Sequence, residues 1–184
     1  MIIRGEQAEE KGLIQVSELM CVAARTAPKG RGLDTLETLI VSGDDLQRLP
    51  DEMRRWGELT GAGFCIRDAG NLEQVRVAVI LGTAVKALGI PGCGYCGFGN
   101  CEGMQKAGGI CAYNAGDLGI AVASAASVAA AHHVDNRVMF SIGRAAINLK
   151  MFNTDVKIAY GMPLSVSGKN PFFDRPPHTP AGSK

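Results

Sequence analysis

Val75-Arg-Val-Ala-Val-Ile-Leu81 is the stretch on which the fold turns. Asn71, just upstream, is a good N-cap and would start a helix here, yet the β-branched residues Val75, Val77, Val79 and Ile80 favour an extended chain. We read a strand over 76–81. Upstream, Leu13, Val16, Met20, Ala23 and Ala27 recur at helical spacing, so 6–24 reads as an amphipathic helix that Pro28 and Gly30 bring to an end. The Leu-, Ile- and Val-rich run 36–42 reads as a buried strand closed by Gly43. Pro50 fits the first turn of a helix through Met53, Trp56 and Leu59 to Gly61, and 63–68 reads as a further short strand.

Downstream, Asp117 is expected to begin a helix reaching about His133, and Asp135 or Asn136 to cap the next, through Ile142 and Ala146 to Leu149. A last strand falls at 156–160, before an irregular tail from Pro171. Helices and strands interleave without a strict βαβ repeat. The expected class is therefore α+β: one domain over 1–184, a mixed or antiparallel sheet packed with helices, and a glycine-rich four-cysteine loop at 92–111.

That loop carries the chemistry. Cys93, Cys96, Cys101 and Cys111 follow the pattern Cys-x2-Cys-x4-Cys-x9-Cys, with Gly92, Gly94, Gly97 and Gly99 between and beside them. Four neighbouring thiolates repel one another, so such a group persists when oxidised to disulfides or neutralised by metal. Glycines permit positive φ and let backbone N–H groups approach sulfur, which favours a negatively charged centre. An iron–sulfur cluster, 4Fe–4S in the preferred reading, is the first candidate. A structural zinc site is the rival, although zinc more often uses two Cys-x-x-Cys pairs or adds histidine. Disulfides or inert thiols are the third reading.

Composition narrows the function classes. A net charge of +1 gives no electrostatic reason to expect nucleic acid or a membrane surface as partner. The charged N-terminus is unlike a secretory peptide, and no stretch is expected to reach the ~18 apolar residues of a membrane span. A cytoplasmic location is expected, where thiols serve metals more often than disulfides. Cys21 and Cys65 read as buried and inert, and Asp135-Asn136-Arg137 as a helix cap with a charge pair. His132 and His133 point about 100° apart on a helix and do not suit one ion. Lys106 is a cation near the cysteines that could help a redox partner protein dock. No nucleophile–base pair for hydrolysis stands out.

A second candidate site is the loop Arg25-Thr-Ala-Pro-Lys29-Gly-Arg31-Gly. Its three cations among small residues suit a phosphate, and equally suit a helix C-cap that complements the negative end of the helix dipole. It is not a P-loop, because the Lys-Ser/Thr ending and the glycine spacing are missing.

Three resemblances follow from these residues. Cys93-Gly-Tyr-Cys-Gly-Phe-Gly-Asn-Cys101-Glu resembles the four-cysteine 4Fe–4S motif of Rnf-type electron-transport B subunits and of the corrinoid iron–sulfur protein, whose fourth cysteine comes later than Cys111 does. Ala24-Arg-Thr-Ala-Pro-Lys-Gly-Arg-Gly32, Phe64-Cys-Ile-Arg-Asp-Ala69, Asp117-Leu-Gly-Ile-Ala-Val122, Val134-Asp-Asn-Arg-Val-Met139 and Gly168-Lys-Asn-Pro-Phe-Phe-Asp-Arg175 together resemble the uncharacterised ferredoxin-domain-containing proteins of bacteria and archaea. That resemblance implies an iron–sulfur protein without supplying a substrate. The helix leading into a basic loop, the small-residue helix at 118–131 and the late strand before Met162-Pro163 are similar to FMN-dependent nitroreductases. This last similarity implies FMN, a homodimer, and flavin-phosphate contacts from Arg25, Lys29 and Arg31 with Lys169 or Arg175.

The function expected is a cytoplasmic iron–sulfur protein that carries single electrons. An FMN oxidoreductase of nitroreductase-like fold and a zinc-stabilised binding module are the alternatives.

Overall fold

The computed structural model describes residues 1–173. Its centre is the strand that decides the class: β2 (Val77–Thr83) is buried along its whole length. β1 (Leu36–Ser42) lies on one side, and β4 (Ile158–Ser165) with the two-residue β3 (Asp135–Asn136) on the other, giving the order β1-β2-β4-β3. Every pairing is antiparallel, with Leu36 opposite Thr83, Val77 opposite Leu164 and Asn136 opposite Leu164. The class is α+β as expected.

Helices cover both faces, which is why β2 reads as an unbroken apolar run rather than an alternating one. Side chains still alternate along it. Val77, Val79 and Leu81 face the layer made by α1 (Gly5–Thr26) and α5 (Ala112–Ala131), meeting Leu13, Met20, Leu118 and Ala125. Ala78 and Ile80 face the other layer, α2 (Gly43–Thr60), α3 (Gly63–Leu72) and α6 (Phe140–Asn148), meeting Leu46, Leu49, Ala69 and Ile142. α4 (Cys101–Lys106) is a short helix in the connection between β2 and α5.

Several expectations are corrected. β1 has its expected ends but is an edge strand on which only Val41 is buried. α2 begins at Gly43, so Pro50 lies in its interior. The missing N–H and ring clash of an interior proline cost about 3 kcal/mol, and burying Leu46 and Leu49 returns roughly 1.5–3 kcal/mol each. Residues 63–68 are helical, because Cys65, Asp68, Ala69 and Leu72 bury at three- and four-residue steps. Asp135 and Asn136 pair as β3 instead of capping α6, whose N-cap position is Met139. Arg137 donates to the carbonyl oxygen of Phe172 and lies over the Phe173 ring.

α5 starts five residues before Asp117 and is long and apolar enough to cross a membrane by length and composition, so the expectation that no stretch would be is also corrected. In the fold, Leu118, Ala121, Val122, Ala125 and Ala129 bury against α1 and the sheet. On the opposite layer, α6 lies close on β4: a Cβ at Gly143 would stand 2.0 Å from the Ala159 carbonyl oxygen.

Candidate functional site

The cysteines occupy the connection 84–111, which leaves the end of the central strand and returns as α5. Its root is polar and buried. Thr35 Oγ1 and Thr83 Oγ1 are 2.7 Å apart, and Asn114 Nδ2 donates to Thr35 Oγ1 at 2.8 Å. Asn114 is 1% exposed, so these bonds satisfy an amide that burial would otherwise penalise.

Above this root the chain forms a bowl. Gly92, Gly94 and Gly97 have φ of 70°, 59° and 82°, a conformation that β-carbons disfavour. Gly97 N–H donates to the Gly94 carbonyl at 2.9 Å, closing the turn that holds Cys96. Asn100 caps α4 by accepting the Gly103 N–H at 2.8 Å, which sets Cys101 as the first helical residue. Cys111 occupies the N-cap position of α5, beside the unpaired N–H groups of a long helix that favour negative charge. Beneath them, Leu88, Met104 and Cys111 form a small apolar cluster with Cys96 and Phe98 at its margin.

All four thiols line one cavity of about 340 Å³, and all six cysteines of the chain are free. Tyr95 and Tyr113 also line it, stacked with ring centroids 6.0 Å apart and planes 13° from parallel. Cys93, Cys96 and Cys101 are half-buried and Cys111 is buried. Donor set, glycine-walled bowl and volume fit a cluster that gives each thiolate its own iron. Among the described residues no three His, Cys, Asp or Glu side chains gather closely enough to hold a metal ion, so the four thiols would have to draw together to hold either a cluster or a single zinc.

The two other cysteines lie elsewhere. Cys65 is fully buried in α3, and Cys21 packs against the α1–α5 layer with its thiol pushed above the usual range by burial.

The basic loop reaches the cysteine bowl from below. Gly30 N–H donates to Asp117 Oδ2 at 2.9 Å, and a Cβ at Gly30 would stand 2.5 Å from Leu88 and 2.8 Å from Tyr113. Arg31, in the left-handed region with φ of 56°, donates to the Leu88 carbonyl at 2.7 Å. Arg25 pairs with Asp34 at 2.6 Å and also donates to the Leu36 carbonyl. Lys29 Nζ donates to the carbonyls of Ala24, Arg25 and Ala27 at the end of α1. Each cation thus has a partner within the chain. Lys169 lines a cleft beside Glu6 and Glu9 at the start of α1, about 30 Å of helix away from the basic loop, so the structure does not bring it to Arg25, Lys29 and Arg31. Arg175 lies outside the described residues.

Sequence reasoning missed Asn114, the tyrosine pair and the bracing role of Arg31. Asn114 falls only three residues after Cys111, but nothing local marks it as buried. The bracing role of Arg31 depends on a residue 57 positions away.

On the comparisons, residues 107–175 match the family described as "Uncharacterized protein containing a ferredoxin domain". An uncharacterised protein from Archaeoglobus fulgidus is 35% identical over 186 residues, spanning 96% of this chain and 99% of that one. Among solved structures, a BluB-like flavoprotein from Clostridium difficile 630 has a TM-score of 0.59 at 15% identity, covering 98% of this chain and 87% of that one. A nitroreductase with bound FMN from Desulfitobacterium hafniense has 0.55 at 16%, covering 98% and 85%. A nitroreductase from Lactococcus lactis in complex with nicotinic acid has 0.55 at 18%, covering 93% and 87%. At these identities the likeness is one of fold.

Proposed function

The chain belongs to the family of uncharacterised proteins containing a ferredoxin domain, and on that premise we propose that it is an iron–sulfur redox protein whose cluster, 4Fe–4S in our reading, is held by Cys93, Cys96, Cys101 and Cys111. The observation that carries the proposal is that four free cysteines line one glycine-walled cavity. Bound there, the cluster would supply one-electron transfer. The chain's own residues prepare the site for it. Glycine turns leave the loop free to present peptide N–H groups to a bound cluster, and the first turn of α5 favours negative charge at Cys111. Asn114, Asp117 and Arg31 hold the bowl to the sheet and to α1. Tyr95, 76% exposed beside the thiols, offers a flat surface to a redox partner protein, while Lys106 is paired with Glu102 at 2.6 Å near the rim.

The nitroreductase-like fold supports a second reading, an FMN-containing oxidoreductase that works as a homodimer. In that reading a flavin phosphate would have to take Arg25, Lys29 or Arg31 from its present partners.

The test is purification without oxygen, followed by iron, zinc and sulfide analysis and absorption spectra before and after dithionite. Iron and sulfide in comparable amounts, with a broad brown absorption that fades on reduction, are expected. Stoichiometric zinc without iron overturns the cluster. Yellow flavin released on denaturation carries the second reading.

A further inference from the structure

Away from the cysteines, α6 carries an arginine that meets aromatic rings and pairs with no carboxylate among the described residues. The Arg144 guanidinium lies 5.5 Å from the ring centroid of Trp56 and 5.7 Å from that of Phe140. Its Nε is the buried side-chain nitrogen or oxygen left without a hydrogen-bond partner among the described residues. Stacking on rings satisfies the faces of a guanidinium but not its in-plane N–H donors, which still need an acceptor.

Arg144 lines a cleft of about 620 Å³ between α6 and the segment 150–157, with Lys150 and Lys157 on its walls. The neighbouring carboxylates are already engaged. Asp155 pairs with Lys157 at 2.6 Å. Glu37 accepts the N–H groups of Asn153 and Thr154 at 2.7 and 3.0 Å, which holds the segment in place. Glu52 accepts from Arg55 and from Asn148 Nδ2. Lys150, exposed and with φ of 54°, follows the end of α6. On the cleft wall Arg144, Lys150 and Lys157 face one carboxylate, Asp155, which is the partner of Lys157; the cleft falls in the size range of small-molecule sites and holds a planar donor fork backed by two aromatic rings.

We propose that this cleft binds an oxyanion, the phosphate or carboxylate of a small molecule, with Arg144 as its anchor and Lys150 and Lys157 as flanking cations. The Nη edge of the fork matches two oxygens of such a group.

The chain's single tryptophan is Trp56, so its fluorescence reports directly on the Arg144 contact. The full-length protein is titrated with inorganic phosphate, with adenosine monophosphate and with acetate, each at an ionic strength fixed by chloride. A saturable change in emission with at least one probe is expected. Tighter binding of the nucleotide than of phosphate identifies a phosphate-bearing organic ligand, and a response to acetate alone identifies a carboxylate. Arg144→Gln should weaken the apparent affinity by about tenfold or more. Lys150→Gln with Lys157→Gln, both at exposed positions, should weaken it by a smaller factor while leaving the melting curve in place. No saturable response to any probe, or an undiminished response in both variants, overturns the proposal. Because the readout does not involve iron, the result is independent of the cluster.

Discussion

Arg31 Nη1 donates to the carbonyl oxygen of Leu88 across 2.7 Å, tying the turn after α1 to the loop that carries the cysteines. Arg31 holds this bond from a left-handed backbone, φ 56° and ψ 16°. For a residue with a β-carbon that conformation costs roughly 1 kcal/mol or more. Arg31→Ala should remove the brace and keep the strain, whereas Arg31→Gly should remove both. We expect both variants to lose iron to a chelator several-fold faster than the parent. Thermal melts should place Arg31→Gly about 1 kcal/mol above Arg31→Ala.

Cys96 lies at the margin of the apolar floor beneath the bowl and lines the cavity, while Cys65 is buried in α3 on the other side of the sheet. Cys96→Ser should abolish the iron–thiolate absorption of protein prepared without oxygen. Cys65→Ser should retain it. Equal spectra in the two variants would remove Cys96 from the ligand set.

The packing of α6 on β4 rests on a missing side chain. Gly143→Ala would put a methyl group within 2.0 Å of the Ala159 carbonyl oxygen, a backbone atom that cannot move aside cheaply. The helix must shift, at a cost of roughly 3 kcal/mol or more, seen as a lower urea midpoint. Gly116→Ala, where nothing lies within 4 Å of the new carbon, should unfold at or above the parent midpoint.

Glu52 accepts two bonds from Arg55 and one from Asn148, and the Arg55 contact holds its carboxyl below the ordinary value of 4.5. With the folded value depressed, the unfolded chain takes up the proton first. This contribution to stability is complete above about pH 4.5 and is lost as pH falls through the folded value. Glu52→Gln should lower stability at neutral pH and flatten the acid limb of a stability-against-pH curve. An acid limb of unchanged slope would count against the linkage.

Much of the fold is legible locally. Leu13, Val16 and Met20 mark the buried stripe of α1, and β1 ends where Gly43 turns the chain. What misreads is equally specific. Phe64, Cys65 and Ile66 look like strand residues, yet Cys65, Ala69 and Leu72 make a helical stripe that becomes decisive once α2 and α6 offer it a surface. Pro50 looks like a helix start because the cost of an interior proline is local, while the burial of Leu46 and Leu49 that offsets it is not.

For the site, composition and spacing alone single out the candidate donors: four cysteines with glycines between them, free to turn where other residues would resist. Only tertiary structure decides what the flanking charges do. Arg25, Lys29 and Arg31 read the same in sequence as phosphate ligands or as a helix cap, and only folding presents the partners they hold here, Asp34, the α1 carbonyls and Leu88. Side-chain identity is a property of one position. Hydrogen bonding is a property of two, and for these cations the second lies as far as 58 residues along the chain.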